Sequence, residues 1–405
     1  MLEVLIWHMS IYRIKSSKYK IYILKLILTK IDKVKFKYQG EKMKTTTLFP
    51  NRYVQGADIL KELGGEVSRL GDHGFMICDP FAHNNLLPDF IPHMQETMQV
   101  NVEEFKRECS DEEIKRLVDL AQKSDANVII GIGGGKTLDT AKAVAHILKT
   151  PVVIIPTLAS TDAPCSALSV IYTQEGTFKR YLVLDKNPDL VLIDTKVVAN
   201  APTRFLVSGM GDALATWFEA QSCKKNFAGN MSGDVGSMTA YALANVCYET
   251  LLEYGVEAKM ASDANSVVPA LEHIIEANTL LSGLGFESGG LASAHAIHNG
   301  LTALEPTHAY FHGEKVAIGT LASLILTDKS REIIDTVFSF CESIGLPTTL
   351  ADIGLVDVTD EELMQVANLT CAEGETIHNE PSHATASQVF YALKTMDALG
   401  KSRKK

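Results

Sequence analysis

The sequence predicts an α/β fold: a parallel sheet covered by helices in the first half, followed by an all-helical second half. Three observations carry this expectation. Short apolar runs alternate with amphipathic stretches between Phe75 and Asp194. One of these runs passes directly into a cluster of glycines that opens a helical pattern. After Pro202 strand-like alternation nearly vanishes and helical stretches follow one another. Strand, helix and strand in that order imply parallel pairing, because a crossover helix lets successive strands run the same way.

Each element follows from its residues. FMICD (75–79) is a short apolar run closing on an acid. Ser110 and Glu113 have capping-box spacing ahead of the helical EEIKRLVDLAQKS (112–124). NVIIGIGGG (127–135) is a buried strand running into glycines, and KTLDTAKAVAHIL (136–148) has apolar residues at helical spacing. VVIIP (152–156) is the next strand. ALSVIYT (167–173) and YLVLD (181–185) flank QEGTFKR as a β-hairpin, and LVLID (190–194) closes the sheet. Helices are predicted over 203–222, 232–254, 258–283, 314–327, 331–344, 360–371 and 385–398. The change of texture near residue 200 predicts two domains, 43–202 and 203–405. A cleft between such domains is a common ligand site.

Composition narrows the function classes. Of 405 residues, 46% are hydrophobic and 21% charged, which suits a well-packed globular chain. The net charge of −11 argues against nucleic acid as a partner, since polyanion binding needs a basic surface. No run of about 18 apolar residues occurs, so no membrane span is expected. The seven cysteines are scattered, odd in number and without a CxxC pair. Reduced thiols in the cytoplasm are the plain reading. Residues 1–42 stand apart: they carry +7, leaving −18 for the rest. Lysines interrupt their apolar positions, so they do not read as a secretory signal. They are read as a poorly ordered extension ahead of Met43, over an amphipathic helix or targeting arm.

Gly131-Ile-Gly133-Gly134-Gly135-Lys136-Thr137 lies between a strand and a helix. Glycines there admit a ligand close to the backbone, and the helix start offers free N–H groups to phosphate. Neither standard motif fits: Lys136 occupies the third glycine of GxGxxG, and Ile130 the first glycine of a P-loop. The expectation is a Rossmann-like phosphate-binding turn with Lys136 as an added cation. Asp79, ending the earlier strand, is placed to accept from ribose hydroxyls, which favours NAD over NADP.

Four of the twelve histidines, His295, His298, His308 and His312, fall within eighteen positions. His295 and His298 are three apart on one helix face. Neutral imidazole suits zinc or iron(II), and a site built from HAIHNGL and a later histidine is expected. A carboxylate would complete it. Asp212 is the best candidate, in a glycine-flanked stretch where it leads an apolar helix; the local alternative is a helix cap.

Taken together, these stretches resemble the glycerol dehydrogenase branch of the iron-containing alcohol dehydrogenase superfamily. The resemblance covers roughly residues 51–400. It is carried by GIGGGKTLDTAKA (131–143), PTLASTDAPCSALSVIYT (156–173), GDALATWFEA (211–220), FESGGLASAHAIHNGL (286–301), HGEKVAIGTL (312–321) and CAEGETIHN (371–379). It implies a dehydroquinate synthase-like architecture, with metal ligands at Asp212, His295 and His312. It implies NAD contacts at Asp79, Gly134, Gly135, Lys136, Thr157, Ser160, Ser166, Leu168 and Tyr172. Asp162 matches the acid that contacts the polyol, and His298 is a substrate or proton-relay residue. Iron-type members carry a further histidine four residues after the aspartate. Here that position is Thr216, and three protein ligands favour zinc. The segment 1–42 has no counterpart in the family, and Lys106 and Arg107 stand where it tends to have glycines.

The implied reaction is NAD-dependent oxidation of glycerol to dihydroxyacetone, with zinc as Lewis acid. The implied assembly is a homo-oligomer, up to an octamer. Two rivals share the architecture: a lyase of the dehydroquinate synthase type and a polyol-phosphate dehydrogenase. Both need cationic phosphate ligands that HAIHNGL and Asp162 do not supply.

Overall fold

The computed structural model describes residues 44–404; the extension read at 1–42 lies outside them. Among the described residues the strands are β1 (Tyr53–Gly56), β2 (His73–Cys78), β3 (Gln99–Glu104), β4 (Val128–Gly133), β5 (Val152–Pro156), β6 (Leu168–Tyr172), β7 (Phe178–Val183) and β8 (Leu190–Asp194). Six of them form a parallel sheet in the order β1-β8-β5-β4-β2-β3, while β6 and β7 pair as a separate antiparallel hairpin.

The central strands are buried on both faces, which is why they read as continuous apolar runs. Alternate side chains divide between two layers. Phe75, Ile77, Ile129, Ile154, Val191 and Ile193 face one core cluster, and Met76, Ile130, Ile132, Val153, Ile155 and Leu192 face the other. The edge strands β1 and β3 escape sequence reading for the converse reason. QVNVEE alternates exposed and half-buried positions, and YVQG has no fully buried residue.

The first half also holds α1 (Leu63–Val67), α2 (Pro80–Asn85), α3 (Leu87–Gln95), α4 (Asp111–Lys123), α5 (Gly135–Leu148) and α6 (Thr195–Ala199). The cap expected at α4 forms on one side only. Ser110 Oγ accepts from the Glu113 N–H, but the Glu113 carboxylate accepts from the Lys106 N–H and from Arg116 instead of reaching back.

The second half holds α7 (Thr203–Asn226), α8 (Met238–Asp263), α9 (Pro269–Glu276), α10 (Ser282–Gly289), α11 (Ser293–Leu301), α12 (His312–Leu326), α13 (Arg331–Ile344), α14 (Asp360–Thr370) and α15 (Ala386–Arg403). The break expected between 254 and 258 is absent: α8 is continuous there. Gly255 is a packing residue, since a Cβ on it would lie 2.6 Å from the Phe340 ring. The chain turns later, where Asn265 adopts φ 50° and Pro269 opens α9. A π-helical turn, Ala277–Leu281, joins α9 to α10. No described helix is long and apolar enough to cross a membrane.

One core cluster runs from the sheet into the helical half, joining Ile129 and Leu138 to Leu214, Ile318 and Met396. Six of the seven cysteines are buried, and Cys371, just past α14, is half-buried. Burial pushes the Cys109 and Cys341 thiols up to about 12.

Candidate active site

The carboxyl ends of β2, β4 and β5 lie side by side, with Cys78 opposite Ile132 and Gly133 opposite Pro156. This places Asp79, the glycine turn and Thr157 together at the edge where parallel sheets bind ligands. Gly133 takes φ +149°, and a Cβ there would lie 2.6 Å from Asp79 Oδ2. Asp79 has structural duties as well. Its Oδ1 accepts from the Ala82 N–H at 2.7 Å, capping α2, and its Oδ2 accepts from the Gly134 N–H at 3.1 Å. Gly134 caps α5 and Gly135 has open space around its Cα.

Lys136, read as the added cation of the turn, is paired with an acid: its ammonium donates to both Glu108 oxygens at 2.7 Å and lies 4.9 Å from the Tyr172 ring centre. Thr157 is buried at the end of β5, and the Ser160 carbonyl accepts from Ser208 Oγ. Ser166 Oγ donates to the Ala163 carbonyl at 2.9 Å. Leu168 and Tyr172 are half-buried on β6, opposite Val183 and Phe178.

Asp212, expected to lead a helix, lies inside α7 and is fully buried. Such a site is possible because α7 and α12 nearly touch. A Cβ on Gly313 would sit 1.7 Å from the Ser208 carbonyl oxygen, and one on Gly211 would sit 2.4 Å from the Gly313 carbonyl oxygen. This approach puts His312, the first residue of α12, beside Asp212. His312 Nε2 lies 3.0 Å from Asp212 Oδ1, and His295 Nε2, from α11, lies 3.4 Å from the same oxygen. Ligating atoms of the three residues all fall within 4.8 Å of one another, the one such trio among the described residues. His308 is elsewhere, with Nε2 on the Thr302 carbonyl.

The hydrogen-bond partners fix which ring nitrogens are engaged away from Asp212. Glu219 Oε2 lies 2.6 Å from His295 Nδ1 and, as a carboxylate, only accepts, so Nδ1 carries the hydrogen. Asn299 Nδ2 donates to Glu375 Oε2 at 3.0 Å, which leaves Asn299 Oδ1 to accept from His298 Nδ1 at 3.1 Å. His298 Nε2 then accepts from His312 Nδ1 at 3.0 Å. Both remaining Nε2 atoms face Asp212 Oδ1, a buried oxygen with no hydrogen-bond partner.

Charge explains the arrangement. Burial alone would drive His295 down, but Glu219 and Asp212 outweigh it and hold it well above the usual histidine range. Burial likewise works against the Asp212 charge, and His312 and His295 outweigh it, keeping the carboxylate ionised. The cluster therefore demands positive charge between Asp212 and Glu219. Burial, then His312 and His295, push His298 well below its ordinary value, so it is neutral. Asp162 joins the cluster through its N–H, which donates to Asp212 Oδ2 at 3.2 Å, and its Oδ2 accepts from Ser282 Oγ at 2.8 Å. Burial and the nearby Asp212 push its carboxyl well above the usual range. Thr216, one turn after Asp212, is buried and shares a hydrogen bond with Ser282.

Sequence reading missed Glu219, Asn299 and Glu375. Glu219 left a trace: it is an acid in an apolar helix, seven residues after Asp212 and so on the same face. Asn299 and Glu375 left none, because their link to His298 is made in space.

The model of the iron-containing alcohol dehydrogenase family matches residues 50–195. The chain is 64% identical over 362 residues to glycerol dehydrogenase of Thermotoga maritima, covering 89% of this chain and 99% of that one. It is 50% identical over 355 residues to glycerol dehydrogenase of Escherichia coli, covering 87% and 96%. The crystal structure of glycerol dehydrogenase from Schizosaccharomyces pombe superposes with a TM-score of 0.85 at 39% identity, covering 89% and 92%.

Proposed function

Because the chain belongs to the iron-containing alcohol dehydrogenase family, on its glycerol dehydrogenase branch, we propose that it oxidises glycerol to dihydroxyacetone with NAD⁺ and a zinc ion. One observation carries the metal reading: the buried, unpartnered Asp212 Oδ1 faces two imidazole nitrogens whose opposite ring nitrogens are already engaged. An anionic oxygen and two imidazole nitrogens converging on one point require positive charge between them, which a bound cation would supply in place of a proton on His295. Asp212, His295 and His312 would hold that charge. Two nitrogens, one oxygen and no fourth ligand among the described residues make the composition of a catalytic zinc site, and Thr216 in place of a histidine supports zinc over iron.

When bound, a divalent cation supplies Lewis acidity that eases loss of the alcohol proton, and the nicotinamide supplies the hydride acceptor. The rest of the work falls to the chain. The glycine turn and Asp79 would receive the cofactor's phosphates and ribose. To do so Lys136 must turn from Glu108 or hold phosphate beside it. Asp162, its backbone tied to Asp212 and its carboxyl to Ser282, is placed to bind a substrate hydroxyl at a fixed distance from the trio. Neutral His298, beside the trio and held by Asn299, or water would take up the proton as it leaves. We place the cofactor on residues 43–202 and the metal on 203–405. We further propose that the protein works in the cytoplasm as a homo-oligomer, up to an octamer.

The test is one assay series. Metal content is measured, then NAD⁺ reduction is followed with glycerol, 1,2-propanediol and ethanol, before and after chelation. Chelator-sensitive NADH formation with the two polyols, strongest with glycerol, is expected. Chelator-insensitive turnover, or none on any polyol, would sink the reading. Net NADH release also separates it from a lyase that uses NAD⁺ only transiently.

A further inference from the structure

Glu219 lies two turns beyond Asp212 on α7 and is 1% exposed. Its Oε2 accepts from His295 Nδ1 at 2.6 Å, and its Oε1 accepts from the N–H groups of Ala292 at 2.8 Å and His295 at 3.0 Å. One carboxylate thus grips the imidazole, the backbone of the same residue and the start of α11. We propose that Glu219 is a positioning residue for the metal: it fixes the tautomer and orientation of His295, adds a second buried negative charge, and so sets the affinity of the site for a divalent cation. This inference rests on the reading that Asp212, His295 and His312 hold an ion.

The two imidazoles are held unequally. The outer nitrogen of His312 meets a neutral imidazole, and its side chain is 37% exposed; that of His295 meets a carboxylate and its side chain is 12% exposed. Glu219 therefore acts on the anchored side of the trio. A hydrogen bond from Nδ1 to an anion makes the far nitrogen more basic, and loss of such partners weakens metal binding by about 10–100-fold.

A second buried carboxylate supplies the control. Glu380 also accepts at the start of α11, from the Ser293 N–H at 3.2 Å and Ser293 Oγ at 2.5 Å. Neither of these bonds reaches an imidazole. Both acids favour the positive end of the α11 dipole, but only Glu219 also holds a ligand ring.

The experiment measures the affinity of the full chain for Zn²⁺ by competition with a chromophoric chelator. Glu219→Gln keeps the size and an acceptor for the backbone N–H groups. Its amide would donate to Nδ1 and turn a hydrogen on Nε2 toward the metal position. Zinc affinity is expected to fall about 10–100-fold, while Glu380→Gln leaves it at the wild-type value. Unchanged affinity in Glu219→Gln overturns the proposal. So does an equal loss in both variants, which would make Glu219 a helix cap and nothing more. Should Glu219→Gln fail to fold, Glu219→Asp withdraws the charge by one methylene and is expected to weaken zinc in the same sense; wild-type affinity there overturns the proposal equally. If the wild type binds no stoichiometric zinc, or Asp212→Ala retains it, the metal reading itself fails.

Discussion

At the scale of single residues, the sharpest expectation concerns Asp212. It is the one fully buried member of the trio, and both imidazoles point at the same oxygen. Asp212→Ala or His295→Ala is expected to lower turnover at least about a thousandfold, while NAD⁺ binding followed by fluorescence persists. Near-normal activity with stoichiometric metal in either variant would refute the assignment. A second expectation concerns Lys142, whose side chain is fully buried. Its ammonium donates to the Ala163 carbonyl at 2.6 Å and the Leu168 carbonyl at 3.1 Å, and lies 3.6 Å from Asp139. From the other side Glu287 accepts from the Ala167 N–H at 2.6 Å, and Asn187 donates to the Cys165 carbonyl at 2.9 Å. Opposite buried charges thus clamp the segment between Asp162 and Leu168. Lys142→Met strands Asp139 and should cost about 3–5 kcal/mol of stability in chemical denaturation. Asp139→Asn added to it should return part of that loss; no recovery would mean that the backbone contacts, not the charge pair, matter.

At the scale of elements, the site depends on how closely α7 and α12 cross. Gly313→Ala forces a Cβ into the Ser208 carbonyl, so α12 must withdraw and carry His312 with it. A loss of about 1–3 kcal/mol with weakened metal retention is expected; wild-type metal content would show that the helices yield without moving the histidine. The hairpin is tethered differently. Arg180 and then Lys179, both on β7, hold Asp111 at the start of α4, lowering its carboxyl from 3.8 to about 2. A depressed folded value stabilises above the unfolded value and is lost as pH falls through about 2. Because the pair is more than one-third exposed, the contribution is under about 1 kcal/mol. Urea midpoints of the wild type and Asp111→Asn should differ at pH 5 and converge near pH 2. Strands buried on both faces, such as β4 and β5, announce themselves by unbroken apolar runs. Edge strands β1 and β3 do not, because half their surface is solvent. The histidines and Asp212 were legible as residue types, but the choice of His312 over His308 needed the family pattern. Locally, a histidine heading α12 looks no different from one in a 3₁₀ turn; the crossing at Gly313 makes the difference.

At the scale of the molecule, the change of texture near residue 200 does not interrupt the packing. Apolar side chains from the sheet, from α4 and α5 and from the C-terminal helices form one cluster. Each half would expose a large apolar face without the other, so cooperative unfolding is expected. Far-ultraviolet circular dichroism and calorimetry of the metal-free chain should report coincident transitions; two separated transitions would show that the halves are independently stable.

The distribution of thiols has a practical use. Six of the seven sulfurs are shut inside the protein, and Cys371 alone is part-open. It stands four positions before Glu375, the outer terminus of the side-chain path from His312 through His298 and Asn299. An alkylating dye should therefore attach at a single place on the folded chain. With the dye placed there, without engineering a new cysteine or removing an old one, its emission can be followed as zinc is added; an unchanged signal would show that the centre and this position are not coupled.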